Sequence, residues 1–280
     1  MKMKSVKKIY DLTGKVALIT GGAGMLGMKH AEAIAEAGGN VVLADLDEKK
    51  VLSAAEKIKE FFDVETLGVA VDMTQKEQVE GMVRKVCGRF RRIDILINNA
   101  ALTVKGGSED SKRYFAPFEE YPLDLWEKAL EVNLTGMFLC TQAVGKVMIK
   151  QKGGVILNIA STAGVVGPDH RIYRGVKNPY SGEPFNTPIS YSTTKAGVIN
   201  FTRYLATYWA EKKIRVNALS PGGVYDGHDE AFVKNYSSRV PLGRMANPDE
   251  YKGAVLFLVS DASSYMTGAN LIVDGGWTAW

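Results

Sequence analysis

A tyrosine and a lysine four residues apart are the first candidates for chemistry in this chain. They bound the run Tyr191-Ser192-Thr193-Thr194-Lys195, and on a helix two side chains with this spacing share one face. A phenol has a pKa of about 10, and a nearby ammonium group favours its ionised form. Lys195 is therefore expected to bring the pKa of Tyr191 toward the range useful for proton transfer. The alternative is an exposed pair on a solvated helix face.

A glycine-rich segment near the N-terminus predicts a binding site for phosphate groups. Gly21-Gly22-Ala23-Gly24-Met25-Leu26-Gly27 follows the short apolar run Val16–Thr20 and leads into a helical pattern. Glycines let the backbone approach a pyrophosphate, and a helix N-terminus offers unpaired N–H groups with a partial positive charge. A strand, a glycine turn and a helix in this order favour a dinucleotide as the ligand.

An aspartate after the second apolar run indicates which dinucleotide binds. Asp45 lies 24 residues beyond Gly21, close to the spacing of an acid that binds the adenosine ribose hydroxyls. Its carboxylate would repel a 2′-phosphate, so NAD is predicted and NADP is less favoured. Lys49 and Lys50 lie nearby and could attract that phosphate. The alternative for Asp45 is the N-cap of a helix beginning near Glu48.

These candidates follow apolar runs that alternate with helical patterns. Further runs end at Asp72, Asn98, Ser161 and Pro221. Alternating strands and helices predict a parallel sheet with right-handed crossover connections, and such sheets bind ligands at the carboxyl ends of their strands. Because the chain has no internal repeat and no linker, we expect a single domain over 12–280 after an N-terminal arm over 1–11.

Two long loops, at about 102–122 and 164–190, interrupt this alternation. Loops of about twenty residues inside a compact domain are usually functional or mobile, and both flank the predicted ligand edge. Between them a helix is predicted over 123–150. It contains Asn133, and since asparagine is mildly unfavourable in a helix interior, a surface position is the alternative to a functional one.

The composition argues against several classes of protein. The 280 residues are 46% hydrophobic and 24% charged with a net charge of +4, which is typical of a soluble globular protein and leaves no basic stripe for nucleic acid. The two cysteines lack C-x-x-C spacing and the three histidines are scattered, so we expect buried thiols and no catalytic metal. No apolar run approaches the roughly 18 residues of a membrane span, and no signal peptide is evident. A cytoplasmic location without membrane contact is predicted.

An ordered set of motifs runs through the chain. It comprises T-G-G-A-G-M-L-G at 20–27, Asp45, N-N-A-A at 98–101, Asn133, Ser161, Y-S-T-T-K at 191–195, R-V-N-A-L-S-P-G at 215–222 and D-G-G at 274–276. This set resembles the short-chain dehydrogenase/reductase family, of the classical type, from Leu12 to the C-terminus. The resemblance implies a Rossmann-like, doubly wound α/β fold in three layers, α/β/α, and an NAD(P)-dependent oxidoreductase that interconverts a secondary alcohol and a ketone.

The resemblance also implies roles for individual residues. Tyr191 would be the general acid/base, and Ser161 would hold the substrate carbonyl or hydroxyl. Lys195 would bind the nicotinamide ribose and lower the tyrosine pKa, while Asn133 would hold a water that connects Lys195 to solvent. The implied cofactor contacts are Gly21, Gly24, Met25, Leu26, Gly27, Asp45, Asp72, Met73, Asn99, Ala100, Tyr191, Lys195, Pro221, Gly222 and Val224.

Departures from the family pattern keep two alternatives open. Met25 stands where the classical pattern has its middle glycine, and the resulting T-G-x-x-G-x-x-G spacing is similar to the extended branch. A nucleotide-sugar epimerase or dehydratase is therefore one alternative, although the chain has little room for the C-terminal substrate domain of that branch. A non-catalytic NAD-binding regulatory subunit is the other, and the intact Ser161, Tyr191 and Lys195 argue against it. After Pro221-Gly222, Tyr225-Asp226 replace the usual threonine that touches the nicotinamide carboxamide.

The second long loop favours a carbohydrate-like substrate. Its polar and locally basic residues could hold hydroxyls together with a carboxylate or phosphate; they are Asp169, His170, Arg171, Tyr173, Arg174, Lys177, Asn178 and Tyr180. We expect a sugar, a sugar acid or a sugar phosphate. The alternative is that both loops are solvated or packed against a partner subunit.

The helices predicted over 123–150 and 191–211 carry more apolar surface than one sheet face requires. The family usually pairs the equivalent helices between subunits, so a homotetramer, or failing that a dimer, is expected. The alternative is that this surface is ordinary core.

Overall fold

The centre of the molecule is a seven-stranded parallel sheet in a computed structural model that describes residues 5–102, 109–178, 182 and 186–280. Its order is β3-β2-β1-β4-β5-β6-β7, and every adjacent pair is parallel. The strands are β1 Val16–Thr20, β2 Asn40–Asp45, β3 Thr66–Ala70, β4 Ile95–Asn98, β5 Gly154–Ile159, β6 Ile214–Pro221 and β7 Asn270–Val273. The strand order reverses between β1 and β4, which is where doubly wound sheets bind their ligands.

Helices cover both faces of this sheet. They are α1 Val6–Ile9, α2 Met25–Glu36, α3 Glu48–Phe61, α4 Lys76–Phe90, α5 Glu109–Arg113, α6 Leu123–Leu130, α7 Met137–Gln151, α8 Ile189–Tyr208, α9 Glu230–Ser237 and α10 Lys252–Val259. One core packs α4, α7 and α8 on one face, and a second core packs α2, α3 and α10 on the other. Alternate residues of β1 point into the two cores, Leu18 into the first and Ile19 into the second. The predicted three-layer α/β/α fold is confirmed.

The helix predicted over 123–150 contains a widened turn. A π-helical segment, Glu131–Gly136, joins α6 to α7 without a break. This combined helix is the one helix among the described residues that is long and apolar enough to cross a membrane, but half of it is buried inside the protein. It contacts β4, β5 and α4, so we interpret it as a core helix of the fold.

Both long loops contain short helices that the sequence pattern did not predict. In the first loop, α5 is held to α6 by ion pairs of Arg113 with Asp124 at 2.7 Å and of Lys128 with Asp110 at 2.9 Å. The second loop contains a 3₁₀ turn, His170–Tyr173. Residues 103–108, 179–181 and 183–185 lie outside the described residues. They include Tyr180, one of the residues expected to bind substrate.

Helix α9 was also not predicted from the sequence. Asp229 is its N-cap, with its side chain accepting hydrogen bonds from the N–H groups of Ala231 and Phe232. The same kind of cap precedes α3, where Asp47 accepts from the N–H of Lys50. The alternative role for Asp45 as the cap of α3 is therefore wrong, because Asp47 fills that position.

Candidate active site

The residues with candidate chemistry lie at the carboxyl edge of the central strands. Ser161 follows the end of β5, and Tyr191 and Lys195 lie in the first two turns of α8. Helix α8 contacts both β5 and the 3₁₀ turn Thr162–Gly164. A Cβ atom added to Gly164 would lie 2.5 Å from the carbonyl carbon of Lys195. Glycine at 164 thus allows the chain after Ser161 to pass against the backbone of α8.

Ser161 is buried next to the tyrosine. Its side chain is 8% exposed, and its Oγ accepts a hydrogen bond of 3.2 Å from the N–H of Ala163. Its backbone is extended, as befits the N-cap of the following 3₁₀ turn. Because this bond leaves the hydroxyl hydrogen unused, Ser161 can donate to a further oxygen.

Burial of Tyr191 favours its neutral phenol. Burial raises the pKa of Tyr191, and hydrogen bonding by Ser161 opposes this rise. The lowering that we expected from Lys195 is not among the effects on this pKa, and the lysine Nζ lies 5.7 Å from the centre of the tyrosine ring. The phenol is therefore protonated at neutral pH and carries a proton that it can transfer.

Lys195 is a buried cation beside this phenol. It is 4% exposed, and its Nζ donates a hydrogen bond of 2.7 Å to the carbonyl oxygen of Ile159 at the end of β5. Burial lowers the pKa of Lys195 to about 8, so the ammonium form still predominates at pH 7. The exposed pair considered from the sequence is wrong for Lys195, because this side chain is enclosed.

Asn133 lies inside the π-helical turn and connects three segments. It is 3% exposed, so the alternative surface position is wrong. Its Oδ1 accepts from the N–H of Leu102 at 2.7 Å, and its Nδ2 donates to Oγ1 of Thr194 at 3.0 Å. Gly136, in the same turn, passes so close to Met73 that an added Cβ would lie 3.2 Å from the Met73 Cβ. Asn133 therefore ties the start of the first loop to the residue before Lys195.

The glycine-rich loop forms a cradle at the N-terminus of α2. Gly21 has φ of +61°, and a Cβ there would lie 2.9 Å from the Cα of Ala100. A Cβ on Gly27 would lie 2.2 Å from the carbonyl oxygen of Gly21. Helix α2 begins at Met25 after Gly24, and no side chain caps it. Its first N–H groups are thus suited to a pyrophosphate.

The backbone conformation at residue 25 explains why methionine is tolerated where the family has its middle glycine. Met25 is the first residue of α2 and is not among the described residues with positive φ. A side chain at this position therefore causes no backbone strain. The spacing that is similar to the extended branch does not require a different loop conformation here.

Asn99 and Asp45 brace the loop from two sides. The Nδ2 of Asn99 donates to the carbonyl oxygens of Thr20 and Gly21, both at 3.0 Å. Oδ2 of Asp45 accepts from the N–H of Ala23 at 3.0 Å, and its Oδ1 accepts from Leu46 N–H. The carboxylate of Asp45 is thus held against the cradle.

The other predicted cofactor residues lie along the same edge. Asp72 follows β3, and its Oδ1 accepts from the N–H and hydroxyl of Thr74. Pro221 ends β6, and a Cβ added to Gly222 would lie 2.8 Å from the Cα of Asp274. Val224 forms an isolated bridge with Ala246. The structure brings these positions to one edge of the sheet, as expected from the strand order.

Arg171 of the second loop is paired within the protein. Asp169 binds the guanidinium of Arg171 at 2.8 Å and that of Arg239, which follows α9, at 2.9 Å. The hydrogen bond from Arg171 holds the pKa of Asp169 down at about 2. Arg171 is therefore less suited to an anionic substrate group than the sequence suggested.

Three buried hydroxyl groups near the site were not assigned a role from the sequence. Ser190 and Thr194 directly precede Tyr191 and Lys195, and both are 0% exposed. Tyr114 of the first loop interacts electrostatically with Tyr191, as does Tyr173, which the sequence had indicated. The signal of the three was their position, next to Tyr191 and Lys195 on the helix or within a loop already expected to bind substrate.

Comparisons with known proteins agree with this architecture. A family model described as short chain dehydrogenase matches residues 15–236. The chain is 35% identical to an NAD-dependent glycerol dehydrogenase from Listeria innocua serovar 6a, over 99% of both chains. It is also 35% identical to a 3-oxoacyl-(acyl-carrier-protein) reductase from Aquifex aeolicus, over 95% of this chain and 98% of the relative. A solved gluconate 5-dehydrogenase from Burkholderia cenocepacia J2315, in complex with NADP and tartrate, has a TM-score of 0.84 and 31% identity, with 99% of this chain and 100% of that chain covered.

The chain belongs to the short-chain dehydrogenase/reductase family, of the classical type. It is an oxidoreductase that acts on alcohol or ketone groups, since its relatives are named for such activities. The predictions of family, fold and enzyme class are confirmed. The glycerol dehydrogenase relative is named for NAD, and the solved gluconate 5-dehydrogenase is in complex with NADP.

Proposed function

We propose that this enzyme uses NAD(H) to interconvert a secondary alcohol and a ketone on a small, neutral, polyhydroxylated substrate. The observation that carries the proposal is the placement of Ser161 and Tyr191 side by side at the sheet edge that also holds the glycine cradle. A proton donor and a hydrogen-bond donor are thereby directed at one substrate oxygen.

In the proposed reaction, the nicotinamide would supply or accept the hydride when bound. Tyr191 gives its phenol proton to the substrate oxygen during reduction and takes it back during oxidation. Ser161 donates its hydroxyl hydrogen to the same oxygen, and the Lys195 ammonium stabilises the tyrosinate that remains. Asn133 holds the α8 turn in place, while the water relay expected through Asn133 stays a prediction.

Asp45 supports the choice of NAD. Both of its carboxylate oxygens are held by backbone N–H groups of the cradle and its flank, which fixes a negative charge where a 2′-phosphate would lie. Of the nearby lysines that could attract a phosphate, Lys50 is paired with Asp47 at 2.7 Å. The surroundings of Asp45 therefore favour ribose hydroxyls.

Pairing within the second loop supports a neutral substrate. Because Asp169 holds both Arg171 and Arg239, these cations are engaged before a substrate arrives. Phenols close to Tyr191, those of Tyr114 and Tyr173, can hydrogen-bond to hydroxyls. A polyol or its ketose fits this chemistry better than a sugar acid or a sugar phosphate.

Steady-state kinetics would test this function. Glycerol, D-threitol and xylitol would be oxidised with NAD and followed through NADH absorbance, beside gluconate and the apolar alcohol cyclohexanol. We expect the polyols to give the highest kcat/KM. Preferential turnover of cyclohexanol, or of gluconate, would contradict the proposed substrate class.

Tyr191→Phe would test the proposed acid/base. The substitution keeps the ring but removes the transferred proton, so kcat should fall by about 10²-fold to 10⁴-fold with NADH binding retained. Tyr265→Phe is a matched control, since Tyr265 is a fully exposed tyrosine outside the proposed site and the proposed interface. Tight NADH binding without turnover of any carbonyl, and no effect of Tyr191→Phe, would instead indicate a regulatory subunit.

We also propose self-association as a homotetramer or dimer, and a cytoplasmic location. The proposed interface uses the combined helix 123–151 and α8, which expose large apolar side chains. These are Phe138, Ile149, Tyr204 and Tyr208.

A further inference from the structure

A buried serine next to the proposed acid/base holds a phenol of the first loop. Oγ of Ser190 lies 2.8 Å from the phenol oxygen of Tyr121. Ser190 is 0% exposed, and Tyr114 of the same loop is 5% exposed. Burial raises the pKa of Tyr114, and Ser190 opposes this rise. The hydroxyl of Ser190 is therefore a buried contact for Tyr121 and lies near Tyr114.

The backbone of Ser190 is tied to the other end of the same loop. Its carbonyl oxygen accepts a hydrogen bond of 2.8 Å from Oγ1 of Thr194. That Oγ1 accepts from Asn133, whose Oδ1 in turn accepts from the N–H of Leu102. Residue 102 begins the first loop and Tyr121 lies near its end, so both ends are fastened to the turn of α8 that carries Tyr191.

Several other attachments of this loop are weaker. The ion pairs of Arg113 with Asp124 and of Lys128 with Asp110 join side chains that are about a third or more exposed, and exposed pairs contribute little. Two amide groups donate to backbone carbonyl oxygens of the loop at a long 3.3 Å, Asn186 to Phe115 and Asn178 to Ser111. The buried hydroxyl of Ser190 joins the loop directly to the helix of the proposed acid/base.

We propose that Ser190 is a positioning residue whose hydroxyl fixes Tyr121 of the first loop against helix α8 and thereby sets the affinity for substrate. The inference rests on the proposed function, because it assigns the loop to the substrate of Tyr191. Removing the hydroxyl leaves the phenol of Tyr121 without this partner, and a polar group left unsatisfied by burial is costly. The loop should then lose its fixed position while the glycine cradle is unaffected.

Ser190→Ala and Tyr121→Phe would test this role by kinetics and by hydrogen–deuterium exchange. With glycerol or D-threitol as the probe, we expect each variant to raise the substrate KM by about fivefold to tenfold. The KM for NAD should stay unchanged and kcat should change less than the substrate KM. Exchange in peptides covering 109–121 should quicken at least fivefold. Because both changes break one contact, the double variant should be no worse than the more severe single variant.

Tyr265→Phe serves as the control, because it removes an exposed phenol that lies outside the site and the proposed interface. Wild-type KM and exchange in Ser190→Ala and Tyr121→Phe would overturn the proposal. So would a fall in kcat and Tm with the substrate KM unchanged, which is the mark of a purely structural role. If Ser190→Ala fails to fold, Tyr121→Phe decides the question alone. Absence of turnover in the wild type would instead reject the proposed function, and the exchange result would still decide whether the contact holds the loop.

Discussion

At the scale of single residues, we propose that Asp45 selects the dinucleotide that the cradle accepts. Asp45→Asn keeps an acceptor for the N–H of Ala23 but removes the negative charge. We expect the ratio of kcat/KM for NADP to that for NAD to rise at least tenfold, or about 1.4 kcal/mol. Glu48→Gln is a suitable control, since Glu48 is a nearby exposed carboxylate in the first turn of α3 and glutamine removes its charge while keeping its size. Equal ratios in both variants would contradict the assignment.

Some of these residues are predictable because their geometry is local. The four-residue spacing of Tyr191 and Lys195 determines their shared helix face, and the glycine turn needs only the strand before it and the helix after it. The contact of Ser190 with Tyr121 spans 69 residues. The pairing of Asp169 with Arg239 joins the second loop to the end of α9. Neither follows from local spacing, because each depends on where two loops meet after folding.

At the scale of structural elements, the segment after Ser161 packs against α8 so closely that no side chain fits at residue 164. Gly164→Ala would place a Cβ 2.5 Å from the carbonyl carbon of Lys195 and 2.7 Å from the N of Ala196. Backbone atoms cannot yield as a flexible side chain can, so we expect a loss of about 1–3 kcal/mol of stability together with a large fall in kcat. Thermal unfolding and steady-state kinetics would measure both.

Gly167→Ala is the matched control for this prediction. An added Cβ at Gly167 has no atom within 4 Å, and its φ is not positive. It should therefore retain wild-type stability and activity. Equal effects of the two substitutions would show that the close approach at Gly164 is unimportant.

The elements themselves were predictable to different degrees. Buried parallel strands such as β1 gave continuous apolar runs, which locate them reliably. Helix α9 has only eight residues, which is too short for a clear helical period. The π-helical turn leaves no mark in the hydrophobic pattern, and so Asn133 could not be assigned to the interior from its position in a helix.

At the scale of the whole molecule, His30 should make the fold sensitive to acid. It is 0% exposed, and neither ring nitrogen has a partner at hydrogen-bond distance among the described residues. Burial lowers the pKa of His30 to about 4 from 6.5, and a weaker interaction with the Asn99 side chain opposes this lowering. Between pH 6.5 and pH 4, His30 therefore binds a proton in the unfolded chain but not in the folded chain. Because the unfolded state binds more protons, the free energy of unfolding decreases as the pH falls through this window.

The prediction can be measured by urea unfolding of wild type and His30→Leu. As the pH falls from 7 to 5, the free energy of unfolding of His30→Leu minus that of wild type should increase by about 2 kcal/mol. The estimate uses about 1.36 kcal/mol per pKa unit. His170→Gln, a change at an exposed histidine, should show no such trend. A parallel pH dependence in wild type and His30→Leu would contradict the prediction.

Self-association is the second prediction at this scale. Phe138 on α7 is 45% exposed, and Tyr208 on α8 is 67% exposed. Sedimentation at micromolar concentration should give a tetramer or dimer, and Phe138→Asp should shift it toward the monomer. Phe61→Asp, at a phenylalanine on α3 that is 79% exposed, should not. A monomeric wild type would reject the proposed interface.

The widened turn at Glu131–Gly136 has a consequence for how this chain tolerates length changes. A π turn is equivalent to one extra peptide unit inserted into an α-helix, and each unit turns the helix by about 100°. The widened turn absorbs that rotation locally, so deleting one residue here would restore regular winding and leave Met137–Gln151 facing the sheet, while Asn133 would lose its place in the turn. One added residue thus positions Asn133 without changing the face that the following helix presents to the sheet.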